Sequence, residues 1–131
     1  MISKFIFEEM RRVALAARRR AYAPYSGFKV GAAVLAGHRR IFGGANIENA
    51  SYGLSICAER SAITASVNAG ARRLRAVLVA APGAAAPCGA CLQVIAEFAA
   101  PECPVCLIDP ARRVKPVFLR LRELLPRNFH L

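Results

Sequence analysis

The chain has 131 residues, which is enough for one domain with a buried core, and its hydrophobic content of 56% excludes a disordered chain. Its 19 basic and 8 acidic residues give a net charge of +11, which by itself would suit a nucleic acid or a membrane surface. The basic residues are scattered in pairs and triplets without interleaved aromatic residues, so we favour a solvated basic surface and expect no nucleic-acid partner.

The N-terminal residues predict an amphipathic helix rather than a targeting signal. Residues 2–7 are too short for the apolar core of a signal peptide, and acidic residues follow them directly, so we expect a cytoplasmic protein. Ser3 can cap a helix that extends to about Arg20. The apolar side of this helix, which we expect to face the core, comprises Phe5, Met10, Val13 and Ala17.

The rest of the chain alternates strands with helices. In chain order, the pattern predicts strands at 28–35 and 40–47, a helix at 56–67, a strand at 75–81, a helix at 88–99, strands at 105–108 and 114–119, and a short helix at 121–125. Gly70 suits a left-handed cap after the second helix. Five strands interleaved with helices indicate an α/β layered domain.

The uncharged stretch at 76–96 is about as long as a membrane-spanning helix. It contains Pro82 and Pro87, however, and each proline interrupts helical hydrogen bonding that lipid cannot replace. We therefore interpret this stretch as a strand, a loop and a helix, and expect no membrane contact.

Five cysteines, an odd number in a chain without an export signal, indicate metal binding or thiol chemistry before disulfides. Cys88 and Cys91 are three residues apart where a loop becomes a helix, so both thiols project from the same side of the first turn. Cys57 begins another predicted helix and is a candidate third ligand. Three such ligands leave the fourth position of a tetrahedral zinc open for a water whose pKa falls to roughly 7.

Two charged residues next to Cys57 fit the chemistry of such a site. Glu59 lies two residues beyond Cys57, close enough to exchange a proton with the zinc-bound water without binding zinc itself. Zinc with three thiolates has a formal charge of −1, and Arg60 is the candidate compensating charge. Glu59 is therefore predicted to be the general base and acid.

The arrangement matches the H-x-E…P-C-x-x-C signature of zinc nucleobase deaminases, with Cys57 in place of the histidine. Beyond this signature, the chain closely resembles the small cytidine deaminases from about residue 22 to residue 129. The matching segments are APYSGFKVGAA at 23–33, NIENASYG at 46–53, CAER at 57–60, PCGAC at 87–91 and LLP at 124–126.

The resemblance implies a three-layer α/β/α domain around a mixed five-stranded sheet, with residues 1–131 as one catalytic domain. It also implies one zinc per subunit and a homotetramer whose active sites are completed across subunits. The residues that it assigns to substrate binding are Phe28 against the pyrimidine, Asn46 and Glu48 on the ribose hydroxyls, Ala58, and Tyr52 and Phe129, which reach a neighbouring pocket.

The implied reaction is hydrolytic deamination of cytidine, and of deoxycytidine, in pyrimidine salvage. Water attacks C4 of cytosine, and Glu59 moves its proton first to N3 and then to the departing amine, so that uridine and ammonia are released. A carboxylate and a carboxamide can together accept from and donate to a sugar diol, which suits Glu48 and Asn46.

One residue departs from the family pattern, and three alternatives stay open. Leu92 follows the last cysteine of the motif, where the family has arginine. Cys88 and Cys91 also resemble a redox pair without a metal. With Cys103 and Cys106 they could instead form a structural zinc site in a nucleic-acid-binding module, although we interpret these two as buried apolar residues. The net charge also permits a base within RNA or DNA as the substrate.

Overall fold

Five strands form one mixed sheet in the computed structural model, which describes residues 2–131. The strands are β1 (Gly31–Ala36), β2 (Arg40–Ala45), β3 (Leu74–Ala80), β4 (Pro104–Ile108) and β5 (Val117–Arg120). The helices are α1 (Lys4–Arg18), α2 (Ala58–Asn68), α3 (Gly89–Phe98) and the short α4 (Leu121–Leu124). The strand order is β2-β1-β3-β4-β5, with β3 and β4 parallel and the other neighbours antiparallel.

Helices cover both faces of the sheet. Successive residues of a strand point to opposite faces, so one strand can contribute side chains to both apolar layers. Ala33 and Leu35 of β1 pack with Met10 and other residues of α1, whereas Ala32 and Val34 pack with the apolar residues of α2 and α3. The central strand β3 contributes to both cores, which explains its continuous apolar sequence. The predicted three-layer α/β/α architecture around a mixed five-stranded sheet is confirmed.

The first helix begins as predicted but presents a different face to the core. The Ser3 hydroxyl accepts a hydrogen bond from the backbone N–H of Ile6 and caps α1. Met10 and Ala17 are buried, but the side chain of Phe5 is 73% exposed, so the predicted apolar side was wrong at Phe5. Phe5 is five positions before Met10, which at 3.6 residues per turn places it about 140° round the helix from that buried residue.

Two predicted strands begin later than their sequences indicate, because side chains take the backbone hydrogen bonds. Before β1, Asn46 accepts from the N–H of Val30 and donates to the carbonyl of Phe28, so residues 28–30 form an extended loop. Before β5, the buried carboxylate of Asp109 accepts from the N–H groups of Ala111 and Arg113, and this turn delays the strand to Val117. Within residues 2–131, no helix combines the length and apolar character needed to cross a membrane.

Gly44 of β2 allows α2 to lie directly on the sheet. A Cβ at this position would overlap the backbone nitrogen of Ala62 and lie 2.7 Å from the carbonyl oxygen of Ala58. We expect Gly44→Ala to displace α2 and to lower the free energy of unfolding by about 1–3 kcal/mol, the usual cost of overpacking. Urea denaturation measures this cost, with Gly37→Ala as the control because a Cβ there meets nothing within 4 Å. Equal stability of the two variants would contradict the direct packing.

Candidate active site

A cavity of about 610 Å³ opens where α2 and α3 begin, beside the carboxyl end of β3. Cys57 immediately precedes α2, and Cys88 immediately precedes α3. Both helices therefore direct the positive ends of their dipoles at this cavity, and such ends stabilise thiolates. The cavity is thus suited to a cluster of ionised sulfur atoms.

Three cysteine sulfurs converge in this cavity. The Sγ atoms of Cys88 and Cys91 are 3.5 Å apart, and those of Cys57 and Cys91 are in contact and are paired as a disulfide. The Sγ atoms of Cys57 and Cys91 and a carboxylate oxygen of Glu59 all lie within 4.8 Å of one another. Cys88 is outside this tighter group, although its sulfur lies beside that of Cys91.

The donor set fits one zinc ion. Two sulfurs bound to one tetrahedral zinc lie ~3.8 Å apart, given a Zn–S bond of ~2.3 Å, and the Cys88 and Cys91 sulfurs are close to that separation. The Cα atoms of Cys57 and Cys91 are 7.2 Å apart, which is longer than the usual disulfide range of about 4.4–6.8 Å. Thiol ligands at two helix N-termini are typical of zinc, and this site fits that metal better than a structural disulfide.

Arg60 contacts the sulfur cluster directly. Its Nε donates to the Sγ of Cys57 at 3.1 Å, and its second guanidinium nitrogen donates to the carbonyl of Ser55 at 3.2 Å. The guanidinium therefore lies where a compensating positive charge is needed. Leu92, in contrast, is buried in the apolar core around α3 and adds no charge.

Glu59 is the buried acid of the cavity, with only 4% of its surface exposed. Burial raises the pKa of its carboxyl above the ordinary value, against the opposing effects of its own backbone N–H and the Arg60 charge. A raised pKa makes the carboxylate a stronger base toward a bound water, which suits a group that must take up a proton and pass it on. The structure thus places Glu59 next to the cluster in an environment suited to proton transfer.

Three residues assigned to the nucleoside line the same cavity. Phe28 is part of its wall, and Asn46 donates to the Phe28 carbonyl and accepts from the N–H of Val30. Glu48 accepts hydrogen bonds from the N–H groups of Tyr25 and Ser26 and from the Ser26 hydroxyl. The Ser26 hydroxyl contributes most to lowering the pKa of the Glu48 carboxyl, and the two N–H groups lower it further. Glu48 is therefore an ionised acceptor.

The remaining predicted substrate residues differ in position. Ala58 is buried in the cavity wall, and Tyr52 lies at the mouth, where its ring packs edge-on against Tyr25. Phe129 does not line the cavity: Gln93 donates to its carbonyl at 2.9 Å, and its ring is 70% exposed. Within one chain the cavity is therefore completed without Phe129.

Tyr25 and Ser26 also line the cavity, although the sequence predicted no part for them in substrate binding. A serine shortly before Phe28 in a turn is a signal for side-chain hydrogen bonding to the backbone, and the N–H of Phe28 does donate to the Ser26 hydroxyl. The link from Ser26 to Glu48 spans 22 residues and carries no local signal.

Cys103 and Cys106 are buried elsewhere, and neither lines the cavity. Burial raises the pKa of Cys103 to about 12 and that of Cys106 to about 11, so both thiols stay protonated. Their surroundings favour buried apolar residues over a zinc site that combines them with Cys88 and Cys91.

A three-layer α/β/α domain with a thiol cluster and a buried glutamate at two helix N-termini defines a zinc-dependent deaminase. The family described as the cytidine and deoxycytidylate deaminase zinc-binding region matches residues 6–107. The chain belongs to this family of zinc-dependent hydrolases.

Named relatives and solved structures agree with this assignment. The cytidine deaminase of Halalkalibacterium halodurans is 43% identical over 118 residues, covering 88% of each chain. That of Sporosarcina psychrophila is 50% identical over 95 residues, covering 71% of this chain and 70% of the relative. The crystal structure of cytidine deaminase from Burkholderia pseudomallei covers 98% of this chain and 100% of its own, with 40% identity and a TM-score of 0.88. The enzyme from Mycobacterium tuberculosis covers 95% and 98%, with 38% identity and a TM-score of 0.80.

Proposed function

We propose that residues 1–131 form one catalytic domain that deaminates cytidine and deoxycytidine hydrolytically in pyrimidine salvage. The observation that carries this proposal is the buried carboxyl of Glu59 within 4.8 Å of the Cys57 and Cys91 sulfurs, in a cavity large enough for a nucleoside. The relatives named cytidine deaminase support the choice of substrate.

The proposed roles divide between the metal ligands and one proton carrier. Cys57, Cys88 and Cys91 would hold one zinc ion, which would supply a Lewis acid able to lower the pKa of a water molecule to about 7. Glu59 takes one proton from this water and delivers it to N3 of the cytosine, and then delivers the second to the departing amine. The water oxygen bonds to C4 as N3 is protonated, and the C4–N4 bond breaks once the amine has received the second proton, so uridine and ammonia leave and Glu59 is regenerated.

Charge balance in the cluster rests on Arg60 and on the two helix N-termini. Three thiolates would otherwise weaken the pull of the metal on its water, because zinc and three thiolates have a formal charge of −1. The 3.1 Å contact from Arg60 Nε to the Cys57 sulfur draws electron density from that thiolate. A positive charge at position 92 is then unnecessary, and we propose that Leu92 stabilises the fold by packing in the apolar core instead.

Hydrogen-bond capacity supports deoxycytidine as a second substrate. The Glu48 carboxylate has about four acceptor sites, and three hydrogen bonds from Tyr25 and Ser26 already occupy it. The Asn46 amide has two N–H donors, and one is bonded to the carbonyl of Phe28. Within residues 2–131, one acceptor and one donor are therefore left over, and these match a single sugar hydroxyl rather than the diol expected from the sequence.

The test compares turnover of cytidine, 2′-deoxycytidine and 3′-deoxycytidine by the purified zinc-loaded protein, followed by ultraviolet absorbance. We expect similar kcat/KM for the first two and a loss of about 10-fold or more for the third, because that analogue lacks the hydroxyl that would hydrogen-bond to the charged Glu48 carboxylate. Absence of turnover for all three would overturn the proposed function. Equal turnover of all three would contradict the proposal that the site recognises one sugar hydroxyl.

A free nucleoside is also favoured over a base within a polynucleotide. A carboxylate at the sugar edge, such as Glu48, repels phosphodiesters but accepts from a free hydroxyl. We therefore expect KM for cytidine to change little between 50 and 200 mM salt, whereas phosphate contacts would weaken binding by about 10³-fold or more over this range. Preferential, salt-sensitive deamination of a single-stranded oligonucleotide would contradict the nucleoside assignment.

We also propose a cytoplasmic homotetramer with shared active sites. Large apolar side chains are exposed around the cavity mouth, and such clusters mark association surfaces. They are Tyr25, Phe28, Tyr52 and Ile56. The exposed ring of Phe129 is available to a neighbouring copy, and zinc-binding thiolates suit a reducing compartment. Sedimentation of the purified protein tests this: four chains per particle are expected, and a monomer at micromolar concentration would contradict it.

A further inference from the structure

The hydroxyl of Ser26 connects the side of the cavity assigned to the sugar with the side assigned to the base. It donates to Oε2 of Glu48, on the side assigned to the sugar, and accepts from the backbone N–H of Phe28 at 2.9 Å, on the side assigned to the base. A serine hydroxyl has one donor and two acceptor sites, so both bonds form at once. The backbone N–H of Ser26 adds a third bond, to Oε1 of Glu48 at 3.1 Å.

Asn46 holds the same segment from its other side. Its amide nitrogen donates to the carbonyl of Phe28 at 2.8 Å, and its amide oxygen accepts from Val30 at 2.9 Å. The backbone of Phe28 is therefore fixed at its N–H by Ser26 and at its carbonyl by Asn46. Glu48, Asn46 and the ring of Phe28 form one hydrogen-bonded unit in which Ser26 is the link between the acid and the aromatic residue.

We propose that Ser26 is a positioning residue that sets how strictly the sugar hydroxyl is recognised, because its hydroxyl fixes the Glu48 carboxylate and the Phe28 backbone together. The inference rests on the proposed nucleoside function and extends it to a residue that touches neither the metal nor the reacting atoms.

Loss of the hydroxyl has two physical consequences. The Glu48 carboxylate loses its side-chain donor and gains rotational freedom, so its remaining acceptor site no longer points in one direction. The N–H of Phe28 loses its acceptor, so the loop carrying the ring is held on one side only. Both changes weaken substrate binding while leaving Glu59 and the sulfur cluster in place.

KM is expected to rise at low pH, and the pH at which this rise begins, the acid limb of the KM profile, depends on the charge of Glu48. A purely structural role of Ser26 would not shift this pH. Glu48 accepts a sugar hydroxyl best when ionised, and the Ser26 hydroxyl lowers the pKa of Glu48. In Ser26→Ala the pKa of Glu48 rises toward its ordinary value. KM then begins to rise at a higher pH in the variant than in the wild type as the solution is acidified.

The experiment measures kcat and KM of wild type, Ser26→Ala and Ser26→Thr between pH 3.5 and 8, with cytidine, 2′-deoxycytidine and 3′-deoxycytidine. Ser51→Ala is the matched control, since Ser51 is an exposed loop serine whose hydroxyl bonds to none of the residues 2–131 that the structure describes. For Ser26→Ala we expect KM to rise about 10-fold with kcat nearly unchanged, the discrimination against 3′-deoxycytidine to fall, and the acid limb to move up in pH. Ser26→Thr, which keeps the hydroxyl, should restore KM and the pH limb.

Two results would overturn the proposal. One is a Ser26→Ala protein whose KM, nucleoside ratios and pH limb match those of Ser51→Ala. The other is a Ser26→Thr protein no better than Ser26→Ala, with both variants folded and zinc-loaded as judged by circular dichroism and zinc analysis. A wild type that neither binds nor turns over cytidine would overturn the proposed function as well, whereas an active wild type with an unaffected Ser26→Ala would overturn this inference alone.

Discussion

Replacing Glu59 with glutamine is expected to abolish cytidine deamination and to leave the zinc content unchanged. Glutamine matches the shape of glutamate, so the buried position beside the sulfurs stays filled. Its carboxamide cannot take the proton of water and pass it to N3 and the amine. General acid–base groups contribute about 10²–10⁴-fold to rate, and here one group serves both transfers, so we expect kcat to fall by about 10⁴-fold. Ultraviolet absorbance of cytidine follows the loss.

The matched control is Glu97→Gln, the same substitution at an exposed position of α3 outside the cavity. It should keep wild-type kcat. Retention of substantial turnover by Glu59→Gln would contradict the assigned role. Loss of zinc from Glu59→Gln would contradict it differently, because the carboxylate lies close enough to Cys57 and Cys91 to be a metal ligand itself.

Replacing Cys88 with alanine is expected to remove zinc and, with it, activity. Cys88 lies at the N-terminal end of α3 with its sulfur 3.5 Å from that of Cys91, so its loss leaves two thiolates for the metal. Two ligands hold zinc far more weakly than three, since even the loss of a residue that only supports a metal ligand costs about 10–100-fold in affinity. We expect the purified variant to contain little zinc, to show no turnover, and to lose the stabilisation that zinc gives the wild type.

Cys103→Ala is the control for this variant and separates two zinc sites. It removes a buried thiol outside the cavity and should retain one zinc per chain. Loss of zinc from Cys103→Ala would favour the four-cysteine structural site. Full zinc in Cys88→Ala would instead leave Cys57, Glu59 and Cys91 as the ligand set, in contradiction to the proposed roles of Cys88 and Glu59.

Each half of the thiol cluster was predictable because its geometry is local. Cys88 and Cys91 share one helical turn, and Arg60 lies one turn from Cys57. The two halves are 34 residues apart at Cys57 and Cys91, and only the deaminase signature joined them in advance. The strands were predictable where burial on both faces produces a continuous apolar run, as in β3. Their starts were not, because the side chain of Asn46 replaces a strand partner beside Val30.

The residues on the sugar side of the cavity could be predicted from the sequence, but their hydrogen bonds could not. Glu48 carries one free acceptor site because Tyr25 and Ser26 use the others, and this follows only from folding two distant loops together. Phe129 was assigned to the substrate from the resemblance alone, and in this chain it is 70% exposed and lies outside the cavity. The prediction that Phe5 faces the core was wrong because helical periodicity alone does not fix which side of α1 meets the sheet.

Zinc titration of the metal-free protein, with cytidine turnover as the readout, tests the central claim most directly. The titration is made under reducing conditions, so that the paired sulfurs of Cys57 and Cys91 are free to bind. The account predicts that activity rises linearly from zero and stops rising at one zinc per chain. Turnover without zinc, or a protein that binds one zinc and leaves cytidine unchanged, would contradict it.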